Sequence, residues 1–247
     1  MRRLDALRAD FDVLRSLLRG MPRDVPLQQR LQSFYAPQAG QYDAFRERLL
    51  QGRRELIASL NLPPNARVVE LGGGTGRNLD FFTPQQWSRI ARFELVDLCP
   101  ALIERARERR ANDDRIRIHE ADATAWKPSG PVDCVYLSYA LSMIPDWRGA
   151  IANALHMLKP GGTLAVVDFY VSPAQPQLGR ARHGAFTRWF WPRWFGHDGV
   201  MPSAEHLPLL GELMPQHALV ESRARVPYLP LLRVPYYRFV GRKPLRD

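Results

Sequence analysis

Glu70, Gly72, Gly74 and Gly76 are the residues of this 247-residue chain whose types and spacing point most directly at chemistry. They lie in VVELGGGTGR, Val68 to Arg77: an apolar strand, an acid at its end, then glycines at alternate positions. Glycine there lets the chain turn sharply out of a strand and lets a ligand press on the main chain, where a Cβ would collide. The expected product is a nucleotide cradle, followed by a helix opening at Arg77 to Phe82 whose free N–H groups face the crevice. The spacing is G-x-G-x-G with Arg77 where a dinucleotide site has its third glycine, so NAD is disfavoured. Glu70 argues the same way, because a carboxylate beside the loop repels a pyrophosphate but can hold a ligand ammonium, directly or through water. A cationic, phosphate-free ligand is expected. Asp97 closes a second apolar run, RFELVDL, 21 residues after Gly76. That is the distance at which such folds put a carboxylate on ribose hydroxyls.

The elements that must carry these residues follow in order. RIRIHEADA, Arg115 to Ala123, alternates as a third strand and ends near Asp122; VDCVYLSYALSMI, Val132 to Ile144, reads as a fourth strand and its loop; LKPGGTLAVVDF, Leu158 to Phe169, reads as a turn into a fifth. Asp133 and the Pro160-Gly161-Gly162 turn are read as structural. Two later runs, Leu219 to Val226 and Tyr236 to Gly241, are expected to form an antiparallel hairpin. The set resembles the class I S-adenosylmethionine-dependent methyltransferases. The resemblance implies an α/β, Rossmann-like fold with a seven-stranded, mostly parallel sheet, an antiparallel C-terminal hairpin, an N-terminal helical lid over residues 1–60, and the methyltransferase domain over 61–247. It implies S-adenosyl-L-methionine as cofactor, with Tyr35, Glu70, Gly72, Gly74, Gly76, Asn78, Asp97, Leu98, Asp122, Ala123 and Ser138 around it; Asp122 falls near the adenine amino group.

Composition fits one compact enzyme, since 45% hydrophobic residues can fill a sizeable core. Cys99 and Cys134 fall in or beside strands without metal-like spacing, so buried thiols are expected and neither disulfide nor zinc. No apolar run approaches the roughly 18 residues of a membrane span, and the arginine-rich start lacks the apolar core of a signal peptide. A protein that is cytoplasmic, or peripheral on the inner face of a membrane, is expected. The net charge is +10 with only three lysines, and no nucleic-acid-binding module or basic tail accompanies it. Arginine-rich composition alone explains that balance as well as an anionic partner does.

Two segments give the membrane reading its support. Leu4, Leu7, Phe11, Leu14 and Leu18 recur at helical spacing among Arg2, Arg3, Arg8, Arg15 and Arg19, an amphipathic basic helix that could equally pack on the domain or on a second copy. An insertion after the fifth strand, residues 172–215, contains RARHGAFTRWFWPRWFGHDGVMP, with aromatics set among arginines. Such a mixture suits a membrane interface, a carboxylate site, a cation-binding wall or a hydrophobic cap over the sheet. A helix over Tyr42 to Leu60 precedes the glycine loop, and Tyr35, Gln38 and Tyr42 are lid candidates.

A narrower resemblance rests on FYAPQAGQYDAFRERLLQGRREL, LSYALSMIPDW, VVDFYVS, RWFWPRWF and VPYYRFVGR, which together look like the N-methyltransferases of betaine-lipid synthesis. That family methylates the amine of diacylglycerylhomoserine three times, so an amino-lipid substrate is implied. The alternatives kept beside it are a soluble amine or phenolic quinone precursor as acceptor, and a non-enzymatic binding protein of the same fold. Methyl transfer needs alignment rather than a nucleophile or metal. Tyr139, Tyr42, Asp168 and His183 are the catalytic candidates, Tyr139 foremost. Tyr136 and Ser142 are placed beside the acceptor, with Arg46, Arg182 and Arg188 as candidates for its carboxylate. A homo-oligomer is left open.

Overall fold

The computed structural model describes residues 24–36, 47–110, 112–227 and 229–245. The proposed helix at residues 1–19, Gln38, Tyr42 and Arg46 lie outside them. The chain forms one seven-stranded sheet: β1 Ala66–Leu71, β2 Ile90–Asp97, β3 Ile116–Glu120, β4 Val132–Ser138, β5 Leu158–Phe169, β6 His217–Val226 and β7 Leu229–Arg242. The spatial order is 3-2-1-4-5-7-6. All pairings among β1 to β5 are parallel, whereas β7 runs antiparallel to both β5 and β6. This is the expected architecture.

Helices cover both faces, and strand parity decides which side chain meets which layer. Val68, Phe93, Leu95, Cys134 and Tyr136 turn to one core; Val69, Leu71, Val96, Val135 and Leu137 turn to the other. The first core is closed by α2 Arg53–Ala58, a 3-10 turn Arg77–Phe81, α4 Pro100–Arg110 and α6 Ala185–Gly196; between the 3-10 turn and β2 runs the short α3 Pro84–Trp87. The second is closed by α5 Trp147–Met157 and α7 His206–Leu213. α1 Leu27–Tyr35 sits apart, on a small cluster with Cys99 and Leu102.

Two expectations change. The helix after the glycines is only the five-residue 3-10 turn, because Thr83-Pro84 starts a new helix there; Thr83 accepts from Gln86 N and caps it. The helix read over Tyr42 to Leu60 is broken in its described part at Gly52, whose φ is +85°. A Cβ at Gly52 would stand 2.6 Å from the Tyr236 ring, so the close approach to β7 requires glycine.

Asp198, in the turn after α6, is buried, and its Oδ1 has no hydrogen-bond partner among the described residues. Burial pushes its pKa up to about 7. The folded state therefore keeps a proton that the unfolded chain releases near pH 4, and this contribution is full below that pH and lost as pH rises through about 7. Asp198→Asn is expected to flatten the fall in urea midpoint between about pH 4 and 7. An identical slope in the variant would show that the carboxyl is ionised in the fold.

Candidate active site

The strand order reverses between β1 and β4, and at the C-terminal ends of β1, β2 and β4 the sheet opens into a crevice. It encloses about 920 Å³ of empty space, its open mouth included. Gly72 N and Gly73 N both donate to Val96 O, at 2.8 and 3.1 Å, which folds the glycine loop back over the end of β2. Gly72, Gly74 and Gly76 all have positive φ, so the loop is a chain of left-handed turns that only glycine adopts freely. A Cβ on Gly72 would lie 2.4 Å from Ala140 Cβ and one on Gly73 2.5 Å from Leu95 Cγ, but one on Gly74 finds only Leu102 Cδ1, at 3.9 Å. Gly74 therefore keeps open the space into which a ligand would settle.

Asp97 stands at the far wall of this space. Its Oδ2 accepts from Gly74 N and its Oδ1 from Cys99 N, both at 2.8 Å, fixing the carboxylate at the edge of the crevice. Asp122 follows β3 and also lines the crevice; its Oδ1 accepts from Thr124 N and Oγ1. The loop carrying Asp122 and Ala123 is pinned by buried Asn153, whose Nδ2 donates to Ala123 O and Trp126 O. Ser138, at the end of β4, lines the crevice with a buried hydroxyl that has no partner among the described residues. A cradle that a Cβ would fill, an orphaned hydroxyl and two carboxylates at its far side fit a cationic nucleoside.

α1 lies across this crevice. Gln28 Nε2 donates to Glu120 Oε1 beside β3, Gln32 Oε1 accepts from Ala101 N at the start of α4, and Tyr35 OH donates to Met143 Sδ beyond β4. Tyr35, Leu98 and Ala123 join Asp97, Asp122, Asn78, Gly72, Gly74, Ser138 and Tyr139 in the lining. The structure thus brings most of the expected cofactor residues to one wall.

Glu70 is not among them. Its side chain is fully buried on the α2 face of β1, accepting from Asn78 Nδ2 at 2.6 Å and from Tyr136 OH at 2.8 Å. Burial pushes its pKa up to about 7. It cannot touch a ligand ammonium; it orients Asn78, which does line the crevice and also accepts from Arg53 Nη1. Tyr136, expected beside the acceptor, is equally buried because it pairs in register with Glu70 on the same face. Tyr136→Phe is expected to cost about 1–3 kcal/mol of stability through the unpaired Glu70 oxygen, with KM for the acceptor unchanged; a raised KM at full stability would return Tyr136 to the site.

Further corrections follow from burial and partners. Gly76 does not line the crevice; its Cβ would meet Leu79 and Leu95 at 3.2 and 3.3 Å, so it serves packing under the loop. Asp168 is fully buried: Oδ2 accepts from Ser142 N, Oδ1 from Ser142 Oγ and Phe169 N, and burial pushes its pKa to about 6. It holds the loop after β4 rather than receiving a proton from a ligand. Ser142, its partner, lines an adjoining groove instead of the crevice. His183 is buried against Tyr170, its Nδ1 accepting from Ser172 N, with burial lowering its pKa. Arg188 donates to His183 O, Arg182 is exposed, and neither lines the crevice or the groove.

Tyr139 is placed as expected, on the crevice wall. It has φ +53°, rare for a bulky side chain, and is held there by its N–H to Val167 O, its hydroxyl to Gln51 O at 2.6 Å, and its ring against Phe169. Burial keeps its hydroxyl well above the usual pKa, so it is a neutral wall and not a base. Arg53, Thr75, Leu102 and Met143 are also in the lining, and nothing in the sequence marks them for it. Helical spacing does not separate Arg53 from Arg54; the left-handed turn at Gly52 buries the first and exposes the second.

Beside the crevice lies a groove of about 1390 Å³, mouth included, between α1, the loop after β4 and the end of α6. Leu27, Leu31, Met143 and Ile144 line both. Its other walls are mainly apolar, Trp147 and Met201 among them, with one cation, Arg30, whose Nε is buried without a partner among the described residues. Among those residues there is no group of three or more His, Cys, Asp or Glu that could hold a metal ion, and no helix long and apolar enough to cross a membrane.

Comparisons with known proteins agree on the kind of fold. A family model described as a methyltransferase domain matches residues 42–211. Trans-aconitate 2-methyltransferase of Azoarcus sp. (strain BH72) is 30% identical over 126 residues, 51% of this chain and 48% of that protein. Ubiquinone/menaquinone biosynthesis C-methyltransferase UbiE of Hydrogenovibrio crunogenus is 27% identical over 171 residues, 64% of this chain and 66% of the relative. The chain thus spans about half the length of the trans-aconitate enzyme it matches. Among solved structures, a Haemonchus contortus phosphoethanolamine N-methyltransferase bound to phosphomonomethylethanolamine and S-adenosylhomocysteine aligns with a TM-score of 0.68 at 13% identity, covering 90% of this chain and 61% of that one. Burkholderia thailandensis 1,6-didemethyltoxoflavin-N1-methyltransferase, also with S-adenosylhomocysteine, aligns with a TM-score of 0.57 at 19% identity, covering 90% and 94%. At these identities the structural likeness is one of fold.

Proposed function

This chain belongs to the methyltransferase-domain family, and from that premise we propose that it is an S-adenosylmethionine-dependent N-methyltransferase acting on an amine carried by a lipid. Diacylglycerylhomoserine is the first candidate acceptor and its trimethylated betaine lipid the product. The observation that carries this reading is the apolar groove sharing four residues with the crevice, with Arg30 in its wall. An acceptor with a hydrocarbon part, an anionic group and an amine has a place for each: groove, Arg30 and crevice. The C-methyltransferase and aconitate relatives do not share that acceptor, so it rests on the groove and on the sequence resemblance.

When bound, S-adenosylmethionine supplies a methyl group already activated on a sulfonium. The chain's residues hold and align. Asp97 would hold the ribose hydroxyls and Asp122 the adenine amino group, and the open face of Gly74 leaves room for the ligand against main chain. Asn78, fixed by Glu70 and Arg53, would meet the amino-acid end. Tyr35 and Tyr139 spend their hydroxyls on Met143 Sδ and Gln51 O, so what they offer the crevice is ring. A ring face stabilises a nitrogen that becomes cationic and can no longer accept a hydrogen bond. The acceptor amine would need its lone pair free, and its proton would leave to water at the open mouth of the crevice.

Arg30→Gln is expected to raise KM for the homoserine lipid roughly 10-fold with kcat little changed, the signature of a lost ground-state contact to the carboxylate. A soluble acceptor is the second reading, favoured by the names of the sequence relatives. The arginines lining crevice and groove are Arg30, Arg53 and Arg77; Arg53 is already bound to Leu50 O and Asn78, and Arg77 to Glu47 and Asp80. Labelled donor offered with the lipid amine, trans-aconitate and a demethylated quinol separates the readings: label in the lipid supports the first, and label in a soluble acceptor alone replaces it.

A further inference from the structure

α6 turns an unusual face to solvent. Trp191 and Phe195 are buried against the sheet. The opposite side carries Phe186, Trp189, Arg193, Trp194 and His197, with half-buried Phe190 between them and the core, at the spacing that places them along one helical face. Phe186 is 62% exposed, Trp189 53% and Trp194 45%. The rings run into one another: Phe190 lies 5.2 Å from Phe186 and 5.5 Å from Trp194 between centroids, and Arg193 covers Trp189 at 5.0 Å. The result is a continuous aromatic ridge where a soluble helix would carry mixed charges.

Within the segment that carries the ridge the charge is of one sign. From Ser172 to His197 the chain has four arginines, Arg180, Arg182, Arg188 and Arg193, and no acidic residue. Leu178 and Met201 project from the segments on either side of the helix. We propose that this ridge docks on an anionic membrane surface, its indole and phenyl rings at headgroup level and its arginines on lipid phosphates. A second copy of the chain is the less favoured occupant, because a two-fold contact would set the arginines against themselves. Pro192 and Gly196, on the flank of the helix next to Trp189 and Arg193, wall the apolar groove. Docking by the ridge therefore brings the groove's edge to the bilayer. The docking face does not depend on which acceptor is methylated.

The test uses the full chain and sedimentation with vesicles of phosphatidylcholine alone or mixed with phosphatidylglycerol. The chain is expected to partition onto the mixed vesicles and to be released by salt. Phe186→Ser with Trp189→Ser and Trp194→Ser should cut that partition at least ~10-fold, and Arg182→Gln with Arg193→Gln should cut it ~10-fold on mixed vesicles only. S-adenosylmethionine affinity should stay within ~2-fold in both, since these residues lie outside the crevice, and methyl transfer to a short-chain, monomeric lipid acceptor should persist. Docking and acceptor recognition therefore fail separately. Unchanged partition in the aromatic variant overturns the proposal, as does a wild-type chain that ignores anionic vesicles. A wild-type dimer that the aromatic substitutions convert to monomer gives the ridge to a second copy instead.

Discussion

Asp97→Ala is expected to weaken S-adenosylmethionine binding by at least about 100-fold in calorimetry. The estimate rests on two ligand hydroxyls donating to one carboxylate. Bonds to a charged acceptor contribute about 1.5–3 kcal/mol each, and each 1.4 kcal/mol is about tenfold. Asp97 also receives Gly74 N and Cys99 N, so the alanine variant loosens the glycine loop as well. Asp97→Asn keeps one acceptor oxygen and removes the charge, and its expected loss is smaller, about tenfold. Both should retain the native circular dichroism, because the strand ahead of Asp97 is fixed by its pairing with β1 and β3. Equal affinity in wild type and both variants would remove the carboxylate from the site.

Gly74→Val is the second large effect, and its value lies in contrast with its neighbour. At Gly74 the space beyond the backbone is open except for Leu102 at 3.9 Å, and φ is +56°. Valine there would pay roughly 1–2 kcal/mol for the left-handed backbone and put its methyls where the ligand must lie. Binding should fall beyond detection while the fold survives with a lowered melting temperature. At Gly73 a Cβ would instead strike Leu95 Cγ at 2.5 Å, inside the core. Gly73→Ala should therefore lose stability first and affinity only as a consequence. The reverse order, with Gly73→Ala losing ligand at full stability and Gly74→Val binding normally, would place the ligand on the other side of the loop.

How far the sequence carried the structure depends on what each signal encodes. The strands and their order came through because parallel central strands read as continuous apolar runs and the turns between them are marked by glycine, proline and acids. Asp97 was legible because its distance from the glycines is set by the one crossover from β1 to β2, here a 3-10 turn and the short α3. Glu70 was misplaced for a local reason: sitting at the end of a strand says that a residue is near the crevice, but parity decides whether it faces the crevice or the core. With Val68 it faces the core, and Tyr136 follows because it is Glu70's neighbour in register. Asp168 and His183 were chosen for side-chain chemistry, which is silent about partners; both turn out to be engaged by Ser142 and Ser172. Arg53 and Arg30 were missed because arginines are many in this chain and nothing in their spacing marks the two whose helices cross the opening. The insertion was read as aromatic and basic, but only the helix shows that its rings divide into a buried pair and an exposed ridge.

Those misplaced residues change the mechanism more than the identity of the cofactor site. With Asp168, His183 and Tyr136 withdrawn into the core, none of these three is left to act as a base, and the proposed mechanism rests on alignment and on ring faces. This agrees with chemistry in which the methyl group arrives activated and the amine needs only a free lone pair.

The measurement that tests the account most directly is methyl transfer from labelled S-adenosylmethionine to diacylglycerylhomoserine in mixed micelles, read by the mass of the lipid product, with phosphatidylethanolamine and a soluble amine alongside. The account predicts a trimethylated homoserine lipid, with the singly and doubly methylated forms as transients. Donor binding at normal affinity with no methylated lipid, and label appearing in the soluble amine, would contradict it.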